Sequence, residues 1–223
     1  YARLGHDVVV IGHPGHEEVE GTIGSVRGPV HLVSTVDDVS ALRVADPARV
    51  AYVTQTTLSL DDTRAVISAL QARFPAIQGP GVDDICYATQ NRQNAVREMT
   101  PQVDLVLVVG ARNSSNSNRL RELAAERGVP AYLVEDAGEI DPGWFAGVGR
   151  VGLTSGASAP EVLVTQVCER LRELGAGEVR QLPGLQENVS FRLPPVPAPR
   201  REPSAARADA SPERARSRAL YPL

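Results

Sequence analysis

Two hydrophobic periods alternate along this chain, and that alternation limits its fold more than any other feature. Short β-branched runs stand at residues 7–12, 30–35, 50–55, 105–110, 131–134 and 148–153. Segments with helical spacing lie between several of them. Val66, Ile67 and Leu70 share a face in 61–74, and Leu120, Leu123 and Ala124 do so in 114–127. Val162, Val164, Val167, Leu171 and Leu174 do so in 158–174. Strand-length apolar runs separated by amphipathic helices predict an α/β fold built on parallel sheets.

Open parallel sheets collect ligands at the C-terminal ends of their strands. Polar residues recur at those ends: His13 and His16 after the first run, and Gln55, Thr56 and Thr57 after the third. Residues 113–118 follow the fourth run and residues 154–158 the last. The recurrence predicts one converging site.

Composition removes several classes of function. The 223 residues carry 23 basic and 27 acidic side chains, a net charge of −4, which offers nucleic acid no electrostatic attraction. Every basic residue is Arg, so neither a lysine Schiff base nor a P-loop lysine is available. Two cysteines, Cys86 and Cys168, exclude a disulfide-rich scaffold. The longest aliphatic runs are about five residues, too short to span a bilayer. No secretory leader is visible, and the expected location is cytoplasmic.

Gly79-Pro80-Gly81 interrupts the alternation. The expected organisation is an α/β unit at 1–82, a second at 83–193 with an extended exit through 189–193, and a tail at 194–223. The tail holds seven of the 17 prolines and six Arg against three acidic residues, a composition expected to be disordered. The chain opens on Tyr1, and its only methionine is Met99. Residues 1–6 resemble a helix end running into a strand, so the chain is expected to begin inside a domain.

Residues 113–118 are all Ser or Asn and stand where a buried strand meets a helix. One N-cap accounts for one of them; a polar loop or an anion cradle accounts for the rest. At 154–161, Ser158 with Pro160 and Glu161 fits a helix cap as well as a ligand contact. His13-Pro14-Gly15-His16-Glu17-Glu18 has neither zincin nor finger spacing. It suits His16 at an anion and Glu18 as proton donor better. His6 and His31 look like ordinary surface or strand-end histidines. Cys168 lies on an apolar helix face, the usual place of a structural thiol. Cys86, in a polar turn at 83–93, lies on no apolar face, and composition leaves ligand and nucleophile roles open.

Taken in order, Gly12 to Thr22, Gln55 to Ser59, residues 83–93, Asn113 to Leu120 and Gly156 to Glu161 resemble the 4-hydroxy-3-methylbut-2-enyl diphosphate reductase family, also called IspH/LytB. The likeness runs from about His6 to Leu193. At Glu17 the chain departs from the family pattern, which has proline there, while Glu18 stays in register. The resemblance implies three similar α/β units around a central [4Fe–4S] cluster held by three cysteines, with one iron open to substrate. Cys86 matches the third of those cysteines. The first unit, with two cysteines and two histidines, is expected upstream of Tyr1, and the chain by itself is expected to be inactive.

Carried over by position, the resemblance assigns the substrate diphosphate to His16, Ser114, Ser115, Asn116 and Ser158. It makes Glu18 the proton relay to the substrate hydroxyl and Thr56 its helper. The implied reaction is two-electron reductive dehydroxylation of 4-hydroxy-3-methylbut-2-enyl diphosphate to isopentenyl and dimethylallyl diphosphate, in non-mevalonate isoprenoid synthesis. A ferredoxin- or flavodoxin-type protein is the implied electron donor, with no nucleic acid or membrane partner. The competing readings are a cluster-free phosphate- or nucleotide-binding α/β protein, which would lack both G-x-G-x-x-G and Walker A motifs here, and an inactive remnant or binding module.

Overall fold

In a computed structural model, residues 1–80 and 85–183 are described. Six strands form two separate three-stranded sheets. β1 (Asp7–Ile11), β2 (Val30–Val33) and β3 (Val50–Thr54) pair in the order β2-β1-β3, all parallel. β4 (Leu105–Val109), β5 (Ala131–Val134) and β6 (Val151–Ser155) pair in the order β5-β4-β6, again all parallel. Six helices accompany them: α1 (Glu17–Ser25), α2 (Val36–Ala41), α3 (Leu60–Arg73), α4 (Tyr87–Met99), α5 (Ser115–Glu126) and α6 (Glu161–Glu173). All of this lies within one unit, Tyr1–Leu185.

The central strands show why the parallel arrangement forms. Side chains alternate sides along a strand, so an uninterrupted apolar strand needs cover on both faces. In β1, Val9 and Ile11 pack with Leu60, Val66, Ile67 and Leu70 of α3, while Val8 and Val10 pack with Val19 and Ile23 of α1. In β4, Val106 and Val108 meet Val96 and Met99 of α4 and Leu120 and Leu123 of α5. Leu105, Leu107 and Val109 face Val167 of α6 instead. A side chain of this size buried in full contributes about 1.5–3 kcal/mol.

Five of the six strands stand within a residue or two of their sequence positions. The sixth does not: β6 begins at Val151 rather than at Val148. Gly147 has a positive φ of 78°, and Asp104 Oδ2 accepts the backbone N–H groups of Gly149 and Arg150 at 3.0 and 2.8 Å. That turn takes up the donors a strand would need, and pairing starts after it.

Two further expectations change. The expected turn at 83–93 is largely the helix α4, with Cys86 as its N-cap residue and Thr89, Gln93, Val96 and Met99 on the buried face. Two of those four are polar, which hid the helical period. Gln93 is satisfied at both ends, since its Nε2 donates to Leu58 O at 2.8 Å and its Oε1 accepts from Leu60 N at 3.3 Å. Residues 81–84, including Asp83 and Asp84, lie outside the described residues, as do the exit at 189–193 and the tail at 194–223.

Candidate active site

The two sheets repeat one local design. His16 and Ser114 each stand five positions beyond the end of a central strand, and each is the N-cap of the next helix. His16 Nδ1 accepts from Glu18 N at 3.2 Å, and Ser114 Oγ accepts from Ser117 N at 3.3 Å. Since Nδ1 of His16 accepts, its ring proton sits on Nε2, which leaves an N–H donor for a ligand. Glu17 is the first residue of α1, a position that suits proline, so the departure from the family pattern leaves the cap intact.

The repeat places Glu18 and Asn116 in equivalent positions, two residues after their caps. It also pairs Gln55-Thr56-Thr57 with Gly156-Ala157-Ser158, counted from the ends of β3 and β6. In the first sheet both oxygens of the Glu18 carboxylate are occupied. Thr56 N donates to Oε1 at 2.9 Å, and Thr56 Oγ1 donates to Oε2 at 3.0 Å. In the second sheet Ala157 stands where Thr56 would be and offers no hydroxyl. Asn116 is 5% exposed, and among the described residues neither its Oδ1 nor its Nδ2 has a hydrogen-bond partner. An unpaired buried amide costs about 1–3 kcal/mol, so a ligand that pairs it binds with that gain.

Close backbone approach holds this edge together. A Cβ on Gly110 or on Gly156 would lie 2.2 Å from Ser117 Oγ, so that hydroxyl is wedged between the two strand ends. Ser117 Oγ donates to Ser114 Oγ at 3.0 Å. Ser158 does not cap α6, contrary to one sequence expectation: the N-cap is Pro160, with no side-chain bond. Pro160 already has extended dihedrals, so the helix starts two residues later than the Ser158 pattern suggests, and Ser158 remains exposed.

Cys86 is exposed at the N-terminus of α4. Its backbone N–H donates to Thr56 O at 3.1 Å, so the thiol belongs to the residue next to the Glu18–Thr56 pair. Arg92, also on α4, donates from Nε to Ser155 O at 3.1 Å and ties that helix to the end of β6. Cys168 is half-buried on α6, beside core residue Val167. Glu18, Thr56 and Cys86 therefore converge, as do Ser114, Ser115 and Asn116 along one turn. Among the described residues no hydrogen bond joins His16 or Ser158 to that turn.

Two residues at the edge escaped the sequence reading as contributors. Gln55 is 1% exposed; its Oε1 accepts from His13 N at 3.0 Å, and its Nε2 donates to Thr57 Oγ1 at 2.9 Å. Thr57 Oγ1 in turn donates to Ser115 Oγ at 3.0 Å, joining the first sheet to the turn that opens α5. Gln55 stood in a recognised polar cluster, but nothing in its identity announced that it would be buried.

The sequence profile of the LytB protein matches residues 1–172. This chain belongs to the LytB family. It is 63% identical over 190 residues to the 4-hydroxy-3-methylbut-2-enyl diphosphate reductase of Bordetella bronchiseptica, covering 85% of this chain and 58% of that one. It is 62% identical to the protein of the same name from Azoarcus, covering 85% and 61%. The chain thus spans about three fifths of the length of these relatives. Among solved structures, it is similar to the E-1-hydroxy-2-methyl-but-2-enyl-4-diphosphate reductase of Plasmodium falciparum, with a TM-score of 0.71 and 36% identity over 75% of this chain and 53% of that one. The likeness extends to the parallel α/β fold.

The relatives are named as reductases, and the donor set can be compared with the [4Fe–4S] cluster that the family resemblance implies. Cys86 fits one ligand position, because its thiol is exposed, uncommitted and at a helix N-terminus. Among the described residues no three His, Cys, Asp or Glu side chains converge as a metal site. The whole sequence holds one other cysteine, Cys168, on α6. These residues supply one corner of a cluster and do not complete it. Among the described residues no helix is long and apolar enough to cross a membrane.

Proposed function

We propose that this chain forms part of a 4-hydroxy-3-methylbut-2-enyl diphosphate reductase, which reductively removes the substrate hydroxyl to give isopentenyl and dimethylallyl diphosphate. The observation that carries the reading is the chain of contacts Glu18–Thr56–Cys86, in which Thr56 binds the Glu18 carboxylate and accepts the backbone N–H of Cys86, the residue that bears the one exposed thiol. A bound [4Fe–4S] cluster, with Cys86 as one ligand and further thiolates from outside these 223 residues, would supply the two electrons. They would reach it from a ferredoxin- or flavodoxin-type donor. The free thiols suit a reducing, cytoplasmic setting.

The protein's own groups do the rest. His16, Ser114, Ser115, Asn116 and Ser158 bind the diphosphate through N–H and O–H donors, with the N-terminus of α5 adding its partial positive charge. Glu18 in its acid form reverses the 3.0 Å bond and donates to Thr56 Oγ1, and the Thr56 hydroxyl passes a proton to the substrate oxygen. The hydroxyl then leaves as water rather than as hydroxide. Fixing the diphosphate at one end holds the substrate hydroxyl in reach of that proton, and a second proton, drawn from solvent, goes to the allylic carbon once the two electrons have been taken up.

Calorimetric titration tests the reading. The chain should bind 4-hydroxy-3-methylbut-2-enyl diphosphate, inorganic diphosphate should displace it, and adenosine monophosphate should not. Tighter binding of the nucleotide than of the diphosphate would favour a cluster-free nucleotide protein, and no binding of either would overturn the assignment.

A further inference from the structure

We propose that Gln55 is a positioning residue that sets the direction of the Thr57–Ser115 hydrogen bond and thereby frees the Ser115 proton for a phosphoryl oxygen. The inference rests on the diphosphate reading above and goes beyond it by explaining how one donor of the cradle acquires its orientation.

The argument starts from a donor that cannot reverse. The backbone N–H of His13 can only donate, so the side-chain atom 3.0 Å from it must be the Gln55 carbonyl oxygen. That fixes the amide. Its NH₂ faces the hydroxyls, 2.9 Å from Thr57 Oγ1 and 3.4 Å from Ser115 Oγ, and it can only donate to them. Thr57 Oγ1 then receives a hydrogen from Gln55 and gives its own to Ser115 Oγ, 3.0 Å away. Ser115 Oγ accepts on this side, and its own hydrogen turns away from the Gln55–Thr57 pair.

The arrangement is held in place. Gln55 is 1% exposed, so water does not compete for its amide. A Cβ on Gly12 would lie 3.2 Å from Gln55 Oε1 and 2.5 Å from Val19 Cγ2, so the loop bearing His13 passes close over the amide. The first sheet therefore decides, through one side chain, which way a hydroxyl at the start of α5 points. Without Gln55 the Thr57–Ser115 pair can run in either direction, and in one of them the Ser115 hydrogen is spent on Thr57.

Gln55→Glu tests this at constant shape. A carboxylate accepts only, so it draws the Thr57 hydrogen toward itself, and the Thr57–Ser115 bond reverses. Inorganic diphosphate is titrated by calorimetry into wild type, Gln55→Glu, Ser115→Ala and the double variant, and the wild-type side-chain amide is followed by NMR. The Gln55 NH₂ hydrogens should exchange slowly without ligand. Gln55→Glu should weaken diphosphate binding about tenfold or more. In the Ser115→Ala background the same change should cost much less, because no Ser115 hydrogen remains to be turned.

An equal loss in both backgrounds would mean that added charge alone acts, and would overturn the proposal. Fast exchange of the Gln55 amide would overturn the relay while leaving the diphosphate reading standing. Wild type failing to bind diphosphate would remove that reading, and the ligand side of this inference with it. If Gln55→Glu does not fold, Gln55→Met, neutral and without a donor, should show a smaller loss with the same dependence on Ser115; its absence would count against the proposal equally.

Discussion

Thr56 holds the Glu18 carboxylate at both oxygens, through its backbone N–H at 2.9 Å and its hydroxyl at 3.0 Å. In the second sheet, Asn116 stands in the position equivalent to Glu18, and among the described residues its amide has no hydrogen-bond partner. One structural repeat thus serves two purposes. The first copy presents an acid with a defined geometry, and the second leaves a buried donor and acceptor open to a ligand.

Replacing Glu18 by Gln should separate binding from turnover. The amide can keep both contacts to Thr56, with its oxygen facing Thr56 N and its nitrogen donating to Thr56 Oγ1, but it has no proton to release. In a chimera of this chain with the part of a LytB relative that it does not cover, steady-state kinetics should show turnover reduced by about 10²–10⁴-fold with diphosphate affinity preserved. Turnover near the wild-type value would eliminate Glu18 as the proton source.

Asn116→Ala should move stability and affinity in opposite directions. Removing an unsatisfied buried amide near the start of α5, with alanine the better helix former, should leave the melting temperature unchanged or raised. Diphosphate binding should weaken by about 1–3 kcal/mol. Thermal denaturation with and without inorganic diphosphate reads both quantities, and a lowered melting temperature together with unchanged affinity would show that the amide serves the fold.

Acid should weaken the cap of α2. Ser34 N donates to Asp38 Oδ2 at 2.9 Å, and Thr35 N at 2.8 Å, so the Asp38 carboxyl is held below the usual carboxylate range. A depressed folded-state value means that the stabilisation is complete above the unfolded carboxylate value and is lost as pH falls through the folded one. Urea denaturation between about pH 5 and about pH 2 should therefore show a shallower acid loss for Asp38→Asn than for wild type. Identical slopes would mean that the cap contributes nothing there.

Cluster reconstitution should fail on these 223 residues alone. Cys86, bound through its backbone N–H to Thr56, bears the one exposed thiol, and one thiolate does not retain four irons. Anaerobic incubation with iron and sulfide should give no stable absorption near the visible charge-transfer region. In a chimera of this chain with the part of a LytB relative that it does not cover, the absorption should appear, and Cys86→Ser should abolish or destabilise it. A stable cluster on the chain alone would require other ligands within it.

Strand identity was legible because β1 and β4 are apolar at every position after their first residue, which only burial on both faces explains. The start of β6 was less so, since Val148 looks like a strand residue until Asp104 takes the N–H groups of Gly149 and Arg150. The helix α4 was hidden for a related reason: its buried face carries Thr89 and Gln93, and the partners of Gln93 at Leu58 and Leu60 are more than thirty residues away along the chain.

Read alone, the sequence determined the parallel α/β layering, the polar strand ends and the family motifs, because local periodicity and residue type encode them directly. Only the tertiary structure decided which polar residues are spent and which remain open. Ser158 is left free because Pro160 is the N-cap of α6, the Asn116 amide is buried without a partner among the described residues, and Gln55 is buried because two strand ends and a glycine loop close over it. Hydrogen-bond satisfaction is a property of neighbours in space, and those neighbours come from segments that no local pattern brings together.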